Sequence, residues 1–374
     1  MIYLDNASTC IVQKNILDYF NKIVQDFPGN PSSIHWIGYL ANKKMQQARE
    51  EILEILGLSK EKYEVIFNSG STEGINHALK GYAFKNINRG SEIVAFNNEH
   101  PAVLKTLEYL QNHNFKILYV NCDKNGEIDY EDLQKKINNQ TIMVVAMSVN
   151  NESGAINDIQ RISDIVSKYN KCVFFSDVTQ SIGKIKIDYN NVDMFTFSAH
   201  KFGGLIGSGV LIKKKNILLN KLIVGGEQEN NYRGGTNSLA LAETTKYALN
   251  LAEKNLEKNF KKVNKLKNIL LKELSLINEI EINSFNNFPY IVNFSLKNKK
   301  SSVVVEALSK KKIYVSSLSA CSSKLHKISY VLINMKKSKQ IAENSIRISF
   351  SPNNTKEEIM IFVDEIKHIL EKIK

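Results

Sequence analysis

The sequence predicts an α/β protein with a large domain on a mostly parallel sheet and a smaller α+β domain beside it. Strand-like and helix-like segments alternate between Glu64 and Ile212, as in a parallel sheet with crossover helices. Several of those strands are continuously apolar, as strands covered on both faces must be. After about residue 240 the alternation stops, and a long helical stretch leads into shorter mixed units. The expected division is 13–245 for the large domain and 1–12 plus 246–374 for the small one.

In chain order, Glu64–Phe67 reads as a strand and is followed by a helix from about Thr72. Glu92–Phe96 precedes a helix from Pro101, a residue suited to a first helical turn. Lys116–Val120 leads to a helix near Tyr130–Ile137, and Thr141–Ser148 to a helix over Ile159–Tyr169. The strands Cys172–Ser176, Asp193–Ser198 and Gly209–Ile212 complete the run. A long helical stretch is expected from about Leu239 to Leu274. The strands Glu279–Ser284 and Tyr290–Leu296 come next, then a helix near Val303–Leu308 and the strand Ile313–Ser317. The strand Ser345–Phe350 and a helix from about Lys356 end the pattern.

The 374 residues are 43% hydrophobic and 24% charged, which excludes an intrinsically disordered chain. The net charge of +12 comes almost wholly from Lys, since only Arg49, Arg89, Arg161, Arg233 and Arg347 are arginines. The lysines are dispersed and lack interleaved aromatics, and the dense stretch Lys254–Lys272 reads as the wet face of an amphipathic helix. Stable nucleic-acid binding is therefore not expected, although a basic surface for an acidic partner such as RNA stays open as the alternative. The four cysteines, Cys10, Cys122, Cys172 and Cys321, form no C-x-x-C pair, so neither a zinc site nor a redox dithiol is signalled. No apolar run approaches the roughly 20 residues of a membrane span. The start MIYLDNAST has no signal-peptide pattern. A cytoplasmic protein with reduced thiols is the expectation.

Ligands of open α/β sheets bind at the carboxyl ends of the strands. Five successive strand ends here carry polar groups: Ser69-Gly70-Ser71-Thr72-Glu73, Asn98-Glu99-His100, Asn150-Asn151-Glu152, Asp177 with Gln180, and Ser198-Ala199-His200-Lys201. Small and hydroxyl residues opening a helix make an anion site. A desolvated Lys can attack a carbonyl. Lys201 as that amine, Asp177 as a carboxylate and the Ser71–Thr72 turn as an anion site are the three requirements of pyridoxal 5′-phosphate. Ser198 and His200 could share the phosphate. No G-x-G-x-x-G opens a helix after a strand, and Gly183-Lys184 lacks the rest of a P-loop.

With these motifs in place, the chain resembles the cysteine desulfurases of the class V aminotransferase family. Further matching segments are Tyr3–Thr9, Gly29-Asn30-Pro31-Ser32-Ser33 with His35, Arg233-Gly234-Gly235-Thr236, Ser316–Cys321 and Ser345-Ile346-Arg347. The cysteine motif is similar to that of the branch with a long cysteine loop. The resemblance implies the aspartate aminotransferase-like fold of pyridoxal phosphate-dependent transferases. It implies that Lys201 holds the cofactor and moves the α-proton, Asp177 pairs with the pyridine nitrogen, and Gln180 bonds the ring hydroxyl. His100 would stack on the ring and Asn151 would position cofactor or substrate. Ser71, Thr72, Ser198 and His200 would bind the phosphate, with Thr236 reaching across from a second subunit of a homodimer. Asn30 and Arg347 would hold the substrate, Arg347 by its α-carboxylate. L-cysteine would yield L-alanine while Cys321 takes the sulfur as a persulfide and passes it to an acceptor or iron–sulfur scaffold protein, for iron–sulfur cluster or tRNA thiolation chemistry. Selenocysteine lyase, or another class V aminotransferase, is the alternative. Leu318 stands where the family usually has Gly, Leu205-Ile206 where it has Pro-Lys, and Glu227 and Asn230 where it has Gly and Arg.

Overall fold

Two helices that the sequence pattern did not single out follow a short first strand, β1 (Ile2–Tyr3). These are α1 (Lys14–Asp26) and α2 (Trp36–Ile55). In this computed structural model, which describes residues 1–284, 287–317 and 328–372, α1 buries only Ile16 and Ile23. Ile23 packs with Ala41 and Met45 of α2 and with Leu239 and Ala242. Ile16, Phe20 and Ile23 recur at helical spacing, so α1 was within reach of the sequence pattern.

The large sheet is built from β2 (Tyr63–Asn68), β3 (Glu92–Phe96), β4 (Lys116–Val120), β5 (Thr141–Val145), β6 (Val173–Asp177), β7 (Met194–Ser198) and β8 (Gly209–Lys214). Its order is β2-β8-β7-β6-β5-β3-β4. β8 is antiparallel to both neighbours, and the remaining pairs are parallel. Alternate residues feed two cores. On one face Ile93, Ala95, Met143, Val145 and Phe175 pack against α3 (Ser71–Lys85) and α4 (Pro101–Gln111). On the other, Val94, Phe96, Val144, Phe174 and Phe195 pack against α5 (Tyr130–Lys136) and α6 (Ile159–Val166).

The helix expected over Leu239–Leu274 is two helices, α7 (Leu239–Lys254) and α8 (Leu256–Ser275). They meet at Asn255, whose side chain donates to the Leu251 carbonyl at 2.9 Å. Next come β9 (Ile280–Ile282), β10 (Ile291–Leu296) and α9 (Ser301–Lys310). The strand expected over Ile313–Ser317 is split into β11 (Ile313–Tyr314) and β12 (Ser316–Ser317). β11 pairs with β1, and β12 joins the second sheet. After α10 (Tyr330–Asn334) and α11 (Lys339–Glu343), β13 (Ser345–Ser349) and α12 (Lys356–Lys372) close the described chain.

The second sheet runs β12-β13-β10-β9, all antiparallel. Its core takes Leu266 and Leu270 from α8, Phe362 and Ile366 from α12, and Ile2, Leu4 and Ala7 from the N-terminal segment. Val331, Leu332 and Ala342, from α10 and α11, pack instead into the core of the large sheet. Among the described residues, no helix is long and apolar enough to cross a membrane.

Candidate active site

Four neighbouring strands of the large sheet, β7, β6, β5 and β3, bring their carboxyl ends to one place. Ser198 ends β7 and faces the start of α3, where the Ser71 amide donates to Ser198 Oγ at 2.7 Å. Ser198 Oγ in turn donates to Ser71 Oγ at 3.0 Å. Backbones run close here. A Cβ on Gly209 would lie 2.4 Å from Gly70 Cα, so only glycine fits at that point of β8. Thr72, in the same helical turn, is exposed.

Asp177 ends β6, is 4% exposed, and accepts from the Thr179 amide at 3.0 Å. Gln180 follows on the same turn, and its Nε2 donates to the Ala7 carbonyl at 3.0 Å. Lys201 Nζ donates to that carbonyl at 2.8 Å and to the Ser8 carbonyl at 2.7 Å. Burial first, then the charges of Lys184 and Arg347, push the Lys201 amine down to about 8. His200 Nδ1 lies 3.1 Å from Thr9 Oγ1, and burial followed by the Lys201 and Lys184 charges pushes it down to about 4.

His100 caps α4, where its Nδ1 accepts from the Ala102 amide at 3.1 Å. Burial lowers its pKa, opposed by the Asp177 charge. The neighbouring Glu99 is fully enclosed, and burial followed by the Asp177 charge raises its pKa well above the carboxylate range. Asn151 follows β5. Its carbonyl accepts from Arg347 Nη1 at 2.8 Å, and its Oδ1 is buried with no partner among the described residues. Arg347 sits in β13 opposite Ser316 of β12. Its Nη2 donates to Asp5 Oδ1 at 2.9 Å and to Ser8 Oγ at 2.7 Å. Ser8 thus touches both Lys201 and Arg347.

Two of the expected site residues stand apart. Asn30 and Thr236 are exposed, and of the expected site residues among those described only Lys201 lines the cavity of about 490 Å³. The Thr236 loop is anchored by Glu229, which forms a two-pronged pair with the buried Arg49 guanidinium at 2.7 Å. Arg233 Nε bonds Glu73 Oε1 at 2.9 Å, tying the same loop to α3. Cys321 lies outside the described residues. Sequence reasoning gave no site role to Arg49 and Glu229, which join segments far apart in the chain, or to Lys184, which meets Gln180 one turn before it. Nor did it bring Cys10 here, although the thiol donates to the Lys201 carbonyl at 3.2 Å and burial raises its pKa.

Residues 2–362 match the family described as aminotransferase class-V. The chain belongs to the class-V aminotransferase family. Within it, the chain is similar to the cysteine desulfurase IscS of Dictyoglomus turgidum, 34% identical over all of this chain and 95% of the relative. Among solved structures it is similar to a NifS-like protein with a TM-score of 0.93 and 33% identity, each chain wholly covered. A structure described as SspA in complex with cysteine follows at TM-score 0.80 and 27% identity, over 95% of this chain and 100% of that one. The strand order, with one antiparallel strand in an otherwise parallel large sheet, is therefore a class-V aminotransferase architecture, as the sequence led one to expect.

Proposed function

We propose that this class-V aminotransferase is a pyridoxal 5′-phosphate-dependent cysteine desulfurase. It converts L-cysteine to L-alanine and takes the sulfur onto Cys321 as a persulfide, for an acceptor protein in iron–sulfur cluster or tRNA thiolation chemistry. The observation that carries this reading is the meeting of a desolvated amine, Lys201, with the Arg347 guanidinium at Ser8. The cysteine desulfurase names of its full-length relatives supply the substrate class.

The residues present fit the cofactor. The buried Asn151 Oδ1, which has no partner among the described residues, can take a donor. The Ser71 and Ser198 hydroxyls meet at the N-terminus of α3, where the helix dipole favours a phosphate. Asp177 offers a buried carboxylate for a pyridinium nitrogen, with Gln180 one turn on for the ring hydroxyl. Bound there, pyridoxal phosphate supplies an electron sink that lets an amino acid lose its α-proton.

Lys201, neutral above about pH 8, binds the cofactor and then accepts the α-proton. His100 assists by stacking and proton transfer. Arg347 grips the substrate carboxylate with its fork, helped by Asn30 and Asn151. Thr72 and His200 complete the phosphate contacts, and Thr236 reaches the site of a second subunit in a homodimer. Cys321 as a thiolate attacks the substrate sulfur, the carbon–sulfur bond breaks, and alanine departs. Residues 13–245 hold the cofactor, while 1–12 and 246–374 bring Arg347 and Cys321. The site is cytoplasmic, where thiols stay reduced.

The test is the visible spectrum of the purified protein before and after L-cysteine, with alanine and sulfide assayed. A yellow protein that yields both is expected. Cys321→Ala should keep the absorbance and lose sulfide release, and full activity in that variant would overturn the persulfide role. Turnover of selenocysteine with none of cysteine would favour a selenocysteine lyase.

A further inference from the structure

Lys184 takes no part in the roles set out above, yet it is 6% exposed and sits one turn beyond Gln180. Among the described residues its Nζ meets no carboxylate within 4.0 Å. Its ammonium donates to Gln180 Oε1 at 3.1 Å and lies 5.9 Å from the Tyr290 ring centre. Burying an ammonium without a counter-ion is costly, so packing alone is a poor reason for a Lys here.

The position has a geometric consequence. An ammonium only donates, so Gln180 must turn its oxygen toward Lys184 and its amide nitrogen away. That nitrogen donates to the Ala7 carbonyl at 3.0 Å, the same carbonyl that accepts from Lys201 at 2.8 Å. The path Lys184, Gln180, Ala7, Lys201 is continuous. Both lysines also line the cavity of about 490 Å³.

We propose that Lys184 is a positioning residue for Lys201: it orients Gln180 and, through it, the Ala7 carbonyl that accepts from the Lys201 amine. The inference rests on the reading of Lys201 as the cofactor-binding amine. Lys184 is itself pushed down to about 8, by burial first, so at neutral pH it carries its proton. Its charge is then the largest influence on Lys201 after burial. The other groups facing Lys201 are Arg347, Cys10 and Asp177, with His100 and His200 beside it. Cys10 and Arg347 also face Lys184. All of these stay unaltered in the variants below.

The experiment is a pH titration of the visible band of the full chain loaded with pyridoxal 5′-phosphate, without substrate. The band follows the proton on the lysine nitrogen that holds the cofactor. Lys184→Met should raise the midpoint by about one pH unit, a tenfold change in proton affinity. Lys184→Arg should restore it. Lys184→Gln keeps a donor toward Gln180 but no charge, so it should also raise the midpoint, and it decides the matter if the Met variant does not fold. Midpoints equal to wild type in both uncharged variants would overturn the proposal. A wild-type chain that takes up no pyridoxal phosphate would instead overturn the cofactor reading on which it stands.

Discussion

Arg347 reaches three partners with two nitrogens, the Asn151 carbonyl, Asp5 and Ser8. A planar fork can do this and still present donors to a carboxylate, whereas one ammonium cannot. Hydrogen bonds to charged groups contribute about 1.5–3 kcal/mol each. Arg347→Lys should therefore raise the apparent KM for L-cysteine about tenfold or more, measured by alanine release, with cofactor absorbance kept. An unchanged KM would show that the substrate carboxylate is held elsewhere. Lys201 and Asp177 were candidates from the sequence because each is a charged residue at or just past the end of an apolar strand, and Arg347 only through the resemblance of Ser345-Ile346-Arg347 to the family's segment. Lys184 and Cys10 were not, because their meaning depends on which distant side chains they face.

At the scale of elements, α3 lies so close to β7 that a Cβ on Gly74 would come within 2.1 Å of Thr196 Oγ1. Gly74→Ala should thus destabilise the protein by about 1–3 kcal/mol and shift the start of α3, read as a lower urea midpoint together with weaker cofactor retention. The loop carrying Arg233 and Thr236 has a different support. Glu229, Asn230 and Asn231 all adopt positive φ, a conformation that persists only when its surroundings hold it. Glu229 supplies that hold by accepting from Arg49 and from the Phe67 amide at 2.7 Å. Glu229→Ala leaves the Arg49 guanidinium buried without a counter-ion, and a loss of about 3–5 kcal/mol in unfolding free energy is expected. A change below about 1 kcal/mol would mean that solvent reaches Arg49 easily. The strand–helix alternation of the large sheet was readable from apolar periodicity. The break at Asn255 was not, since the helical pattern continues on both sides of it.

Across the whole molecule, the N-terminal segment ties the two sheets to one site. Ile2, Leu4 and Ala7 pack in the core of the second sheet, and Asp5 bridges to Ser349. The Ala7 and Ser8 carbonyls then receive Lys201 from the large sheet. Removing residues 1–9 should leave the far-ultraviolet circular dichroism of the large sheet nearly intact while cofactor retention falls sharply. Full retention would show that the segment is dispensable for the site. By itself, the sequence determined the α/β class and the strand ends that carry polar residues, because periodicity and local turn composition are short-range properties. Tertiary structure alone decided that Ser8 joins Lys201 to Arg347, that Arg49 and Glu229 secure the Thr236 loop, and that Lys184 stands behind Gln180. Those pairs lie far apart along the chain or depend on which way a buried side chain turns, and only tertiary packing selects them.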